Sequence, residues 1–143
     1  MLEVIENFAS LFKTISQDQK IHLIGHFDTD GITSTAILTK TLERLEKVFS
    51  TKIVKQLTAE EITKLPKDKM LMFVDLGSGS IEKLNQLSNT IFIIDHHEIA
   101  TNTELRENFY ILNPHLYEDS LELCSSELAY LFARAISEEN KDL

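Results

Sequence analysis

Ile91 to Glu98 reads IFIIDHHE: four apolar residues, three of them isoleucine, run straight into one aspartate and two histidines. A short, unbroken apolar run is the pattern of a strand buried on both faces, as in a parallel sheet. Ionisable side chains just past such a strand stand at its C-terminal edge, where open α/β sheets bind ligands. The pattern occurs twice more. Ile21 to Asp30, IHLIGHFDTD, is an apolar strand ending in His26, Asp28 and Asp30, and Met70 to Asp75, MLMFVD, ends in a lone aspartate. Each piece has an ordinary reading, because an aspartate after a strand commonly caps a helix or turns the chain. Three together read differently. Carboxylates converging on one sheet edge repel one another and are costly to desolvate unless cations neutralise them. The sequence therefore predicts a metal site.

Outward from these strands the chain alternates between strand and helix patterns. Leu2 to Ile15 carries Ile5, Phe8, Leu11, Phe12 and Ile15 on one helical stripe. His22 lies inside the strand Ile21–Gly25 and is expected to be satisfied by a neighbour. Gly31 opens the turn into a helix expected from Ile32 to Phe49, with Ile37, Leu38, Leu42, Leu45 and Val48 on its apolar face. Thr33, Ser34 and the free amides of that helix start could receive a phosphate, or the two hydroxyls could cap the helix. Lys52–Leu57 reads as a polar edge strand, Thr58–Glu61 as a capping box, and Met70–Val74 as a central strand. Gly77 to Ser80, GSGS, lacks the lysine of a phosphate-gripping loop and is expected to turn into a helix Ile81–Leu87 capped by Ser80. Phe109–Leu112 is a fifth strand, closed by Asn113-Pro114, and Ser125–Ser137 is a final amphipathic helix. The fold class is α/β: a doubly wound, mostly parallel five-stranded sheet flanked by helices.

Composition bounds the rest. The 143 residues fit one domain with a real core, and 43% hydrophobic content with four glycines and two prolines is globular rather than disordered. No apolar run is long enough to span a bilayer, so no membrane association is expected, and MLEVIENF is acidic without a signal-peptide pattern. A single cysteine, Cys124, excludes an internal disulfide and suits a reducing cytoplasm; it is expected to be a small buried residue at the last helix start. The formal charge of −9 is awkward for a protein that grips nucleic-acid phosphates. Asp28, Asp30, Asp75 and Asp95 would face cations, yet the remainder leaves little basic surface, and the chain is not expected to hold a long strand unaided.

GHFDTDG, the isolated Asp75 and the DHH of Asp95–His97 resemble, in order and spacing, the first three motifs of the DHH phosphoesterase superfamily. Within it, HFDTDGITS, the later Asn113-Pro114 and ELAYLFARAISEENKDL look most like the archaeal RecJ-like single-strand-specific exonucleases, a group that includes the GINS-associated nuclease of the replication fork. Oxygen and imidazole donors without thiolate suit manganese or magnesium, with manganese favoured beside histidine. The resemblance implies two such ions, His26 and Asp28 on one, Asp30 and His96 on the other, and Asp75 bridging them. It implies that Asp95 orients His96 through its ring N–H, and that His97 contacts the substrate phosphate and stabilises charge in the transition state. Gly31, Thr33 and Ser34 would line the substrate side. His115 would lie near it, with a solvent-facing loop histidine as the ordinary alternative. His26 stands where bacterial RecJ often begins the motif with aspartate, which leaves a ligand role intact.

The expected activity is a two-metal phosphodiesterase hydrolysing single-stranded nucleic acid, with DNA favoured. A small-substrate DHH hydrolase acting on oligonucleotides or pyrophosphate, and a non-catalytic replication subunit that keeps the fold, are the alternatives. The resemblance further implies that related enzymes continue past the ENKDL-like segment into a fourth motif and a second domain of the DHHA1 type. The chain is therefore expected to be either truncated or the N-terminal half of a split enzyme. It would be weakly active alone and completed by a C-terminal RecJ-like polypeptide, with GINS or other replication proteins as further partners.

Overall fold

Five short strands, β1 (Ile21–His26), β2 (Phe49–Val54), β3 (Met70–Val74), β4 (Ile91–Ile94) and β5 (Phe109–Leu112), pair in the order β2-β1-β3-β4-β5. The computed structural model describes residues 1–99, 103–117 and 122–143. Every pairing is parallel, so the sheet is wholly parallel, and the α/β class expected from the sequence is the one observed. Strands β3 and β4 are buried on both faces. Met70, Met72, Val74, Phe92 and Ile94 point into one core, and Leu71, Phe73, Ile91 and Ile93 into the other. That division is the physical reason for their unbroken apolar runs.

Helices α1 (Leu2–Ile15), α2 (Thr29–Arg44) and α5 (Ser125–Ile136) supply the first core, while the short α3 (Ala59–Thr63) and α4 (Ile81–Leu84) supply the second. In the first core Phe8 and Phe12 of α1, Phe92 of β4 and Phe132 of α5 meet edge to face, with ring centroids 5.3 to 5.8 Å apart. The chain moves from β1 outward to β2 and then crosses to β3 on the other side of β1. That reversal makes a crevice between the C-terminal ends of β1 and β3, the place where sheets of this order bind ligands. Among the described residues no helix is long and apolar enough to cross a membrane.

Several boundaries differ from the sequence reading, each for a local reason. Helix α2 begins at Thr29 rather than Ile32, because Asp28 caps it by accepting from the Gly31 amide at 2.9 Å. It stops at Arg44 because Glu46 turns left-handed at φ 53°, and the amides of Glu46 and Lys47 return to the carbonyls of Glu43 and Leu42. This is a Schellman turn built on glutamate where glycine is usual, which is why the sequence did not announce it. Phe49 consequently opens β2 instead of ending α2, and β2 runs Phe49–Val54 rather than Lys52–Leu57, still at a sheet edge. Helix α4 ends at Leu84, short of Leu87, and Ser80 belongs to a preceding 3-10 turn and makes no side-chain cap. Helix α5 ends at Ile136, and Cys124 at its cap is exposed rather than buried. Thr58 does cap α3 through the Glu61 amide, and the His22 ring does find a neighbour, the Ser50 hydroxyl at 2.8 Å.

Candidate metal centre

His26 is the last residue of β1, Asp75 follows β3 and Asp95 follows β4, so the parallel register sets three ionisable groups side by side. Asp28 and Asp30 sit two and four residues on from His26, at the start of α2. Gly31 lets that helix close tightly onto the strand: a β-carbon there would collide with the carbonyl of His26. Asp75 adopts φ 60°, a left-handed conformation that aspartate tolerates better than most residues and that aims its side chain back into the crevice.

Asp75 is 1% exposed, and neither of its carboxylate oxygens has a hydrogen-bond partner among the described residues. Its Oδ2 lies 3.4 Å from His26 Nδ1 and its Oδ1 lies 3.5 Å from His96 Nε2. Burial, with the like charges of Asp30 and Asp28, outweighs the lowering effect of the nearby Ser125 side chain and pushes its carboxyl up to about 6. His26 Nδ1 is also buried without a hydrogen bond, 2.9 Å from Asp28 Oδ2. Asp28 itself is held below the usual carboxylate range, first by the Gly31 amide. Donor atoms of His26, Asp28 and Asp75 fall within 4.8 Å of one another, and so do those of Asp75, His96 and His97. Two triads thus share one buried carboxylate. Stranded oxygen and nitrogen atoms of this kind fit divalent cations, whose charge would satisfy acceptors that no hydrogen bond among the described residues satisfies. The set contains no thiolate, which favours hard ions such as manganese or magnesium.

Asp30 and Asp95 are placed differently from the other acids. Asp30 accepts from the amides of Ser125 at 2.9 Å and Ser126 at 2.8 Å, so the first turn of α5 clamps it. Burial alone would raise its carboxyl, but hydrogen bonding from Ser126 and Ser125 outweighs that and lowers it. Its Oδ2 remains 3.7 Å from His96 Nε2. Asp95 is fully buried. One oxygen accepts from the Ser78 amide, and the other from the amides of His96 and His97 and from His97 Nδ1 at 2.7 Å. The expectation that Asp95 orients the His96 ring is therefore corrected: it orients the ring of His97. Burial opposes protonation of His97, yet the Asp95 hydrogen bond and the charges of Asp95, Asp75 and Asp28 outweigh it and hold its pKa above the ordinary imidazole value.

The substrate-side residues expected from the sequence divide. Gly31 is inside the first helical turn, not in a loop before it. Thr33 is exposed with its hydroxyl on the Thr29 carbonyl. Ser34 is fully buried and donates to the Asp30 carbonyl at 2.6 Å, which leaves it no access to a phosphate. His115 is exposed on the turn after β5, its amide bound to Asn113. A cavity of about 330 Å³ opens beside the two triads, lined by His26, Lys55, Asp75, Gly77, Asp95 and His97 among others. Gly77, at φ 120°, has a conformation that only glycine adopts readily, and it brings the loop after β3 to this wall. Three contributors escaped the sequence reading. Buried Asn113 ties Ser78 to the carbonyl of His97, the Ser125 and Ser126 amides hold Asp30, and Lys55 is, among the described residues, the one lysine or arginine on the cavity wall. The dipeptide Asn113-Pro114 was a visible signal for the first; nothing local marks the others.

Comparison with known proteins agrees with this geometry. Residues 20–143 match the family described as "DHH family, N-terminal domain". The chain is 34% identical to an uncharacterised protein of Methanocaldococcus jannaschii over 147 residues, which takes in 94% of this chain and 34% of that one. It is 28% identical over 97 residues to the single-stranded-DNA-specific exonuclease RecJ of Bacillus subtilis, covering 60% of this chain and 12% of RecJ. A crystal structure of exonuclease RecJ bound to manganese superposes with a TM-score of 0.79 at 22% identity, over 94% of this chain and 37% of that one. The chain thus spans about a third of the length of the Methanocaldococcus jannaschii relative and of that RecJ structure.

Proposed function

The chain belongs to the DHH family of phosphoesterases, with the fold of the RecJ catalytic domain, and from that premise we propose that it is the two-metal phosphodiesterase part of a RecJ-like exonuclease acting on single-stranded nucleic acid, DNA in preference to RNA. The observation that carries the reading is Asp75: a buried carboxylate shared by two donor triads, its oxygens unsatisfied, in the crevice between β1 and β3. His26, Asp28 and Asp75 would hold one manganese or magnesium ion, and Asp75 and His96 the second, with Asp30, 3.7 Å from His96 Nε2, as its further donor in place of the His97 of the second triad. A bound pair of such ions supplies an activated water and neutralises the phosphoryl and leaving oxygens of a phosphodiester. Asp75 would contribute an oxygen to each ion. The α5 amides keep Asp30 ionised and aimed. Asp95 holds the His97 ring by Nδ1, so that its other nitrogen is free to donate to a phosphate oxygen from the cavity wall.

Twenty-three acidic residues against 14 lysines and arginines leave little with which to grip a phosphate backbone. Further polypeptide, in cis or as a partner such as a C-terminal RecJ-like subunit, would supply that grip. The same charge balance favours, as a second reading, a hydrolase of short substrates that need no backbone grip. The test is digestion by the full-length protein, with manganese, of end-labelled single-stranded DNA, single-stranded RNA, a dinucleotide and pyrophosphate. Stepwise shortening of the DNA is the expected result. Hydrolysis confined to the dinucleotide or pyrophosphate would establish the second reading, and no hydrolysis of any by manganese-loaded protein would refute both.

A further inference from the structure

Phe27 lies between two residues of the candidate metal centre, His26 and Asp28, yet it takes no part in the first core or the second. It is 47% exposed, a large apolar surface to leave in water at the rim of an acidic site. Its ring is nevertheless held. The His26 ring meets it at 86° with centroids 5.0 Å apart, and the Lys55 ammonium stands 5.8 Å from its centroid. Lys55 in turn lines the cavity beside Asp75 and His97. An oriented aromatic ring, open to solvent, thus stands one residue from each of two donors that would hold a metal ion of the centre.

We propose that Phe27 is a nucleobase-stacking subsite: the base next to the scissile phosphate lies on the open part of its ring. This rests on the phosphodiesterase reading of the metal centre and adds the substrate's chemical class, a nucleotide unit with an intact base. Stacking is indifferent to which base is present, because every base has a π-face, so it suits an enzyme that cuts without sequence preference. It also answers the charge problem, since stacking attracts a strand without any basic residue. Lys55, 5.8 Å from the ring centroid, is close enough for cation–π attraction to the same ring. The subsite makes the enzyme prefer strands with bases over a sugar-phosphate backbone alone.

The test measures binding, by fluorescence anisotropy with manganese, of two labelled strands of equal length, one of thymidine and one whose sugars carry no base. The full-length protein is compared with Phe27→Leu, which keeps apolar bulk against His26 but has no π-face, and with Phe27→Trp, which enlarges it. The wild type is expected to favour the thymidine strand by about tenfold. Phe27→Leu should lose most of that preference, and Phe27→Trp should keep or increase it. Equal affinity of the wild type for both strands, or a preference unaltered in Phe27→Leu, overturns the proposal. Because the readout is a ratio of affinities, it stands even if none of the proteins hydrolyses either strand. A failure of the phosphodiesterase reading is thereby told apart from a failure of this one.

Discussion

Asp75 and Asp142 are the same side chain in opposite situations. Asp142 closes the C-terminal 3-10 turn (Glu138–Asp142), where the Arg44 guanidinium donates to both its oxygens at 2.8 Å and also to Asn140 Oδ1 and the Glu139 carbonyl. Hydrogen bonding to Arg44, above all, lowers its carboxyl to about 2. Asn140, buried beneath, donates to the Ala133 carbonyl. Among the described residues Asp75 has no lysine or arginine ion pair; its neighbours include Asp28, Asp30, Ser125 and two histidines, and its carboxyl is raised to about 6. The fold gives Asp142 a cationic partner and leaves Asp75 without one among the described residues, at a cost in stability that a bound cation would offset.

Asparagine at each position should therefore act with opposite sign. The larger effect is at Asp75. Its folded pKa lies above the unfolded value of 3.8, so its contribution to stability is present below pH 4 and is lost as pH rises through about 6. Metal-free wild type should lose up to about 3 kcal/mol over that window, read from urea midpoints in the presence of chelator. Asp75→Asn should escape the loss and be the more stable protein at pH 7.5 without metal. With manganese the order should reverse, and hydrolysis by the variant should fall more than about a hundredfold, beyond the usual cost of losing a supporting partner. A metal-free variant less stable than wild type at pH 7.5 would refute the comparison.

A smaller difference is expected between the two histidines of the same edge. His96 faces Asp75 and Asp30, whereas the His97 ring is tied to Asp95 and its side chain is 52% exposed. His96→Ala should lose manganese affinity, and His97→Ala should keep most of it while turnover falls about a hundredfold. Equal metal loss in the two, measured by titration calorimetry, would mean that His97 completes the second triad as a ligand and does not act on substrate.

The smallest effect belongs to Asp142. Its folded pKa lies below the unfolded value, so its contribution is present above pH 4 and is lost as pH falls toward 2. Asp142→Asn should speed amide exchange of Asn140 and Leu143, whose amides close the turn, and leave manganese affinity untouched. Unchanged exchange at pH 7 would show that Arg44 holds the turn through Glu139 and Asn140 alone.

The strands were legible because burial on both faces writes itself into consecutive residues. Met70–Val74 and Phe109–Leu112 stand where the apolar runs placed them. The end of α2 was not legible, because left-handed Glu46 does by backbone conformation what glycine usually signals by identity. In the site, the clustering of His26, Asp28, Asp75 and His96 followed from their places just past parallel strands. Ser34 misled because a hydroxyl near a helix start looks the same in sequence whether it faces the crevice or, as here, the helix's own carbonyl.

By itself the sequence determined the parallel α/β class, the sheet edge at which the acids gather and the absence of thiolate from the donor set, since each depends on residue type and short-range periodicity alone. Tertiary structure decided which partner each acid met. Asp30 is clamped by amides 95 and 96 residues away, Asp95 chose the ring of His97 over that of His96, and Asp75 was left shared by two triads with no hydrogen bond to accept among the described residues. Those pairings depend on how α5 and the loops after β3 and β5 pack over the sheet edge. Hydrogen bonds of a few ångströms are fixed by that packing, and local sequence carries no record of it.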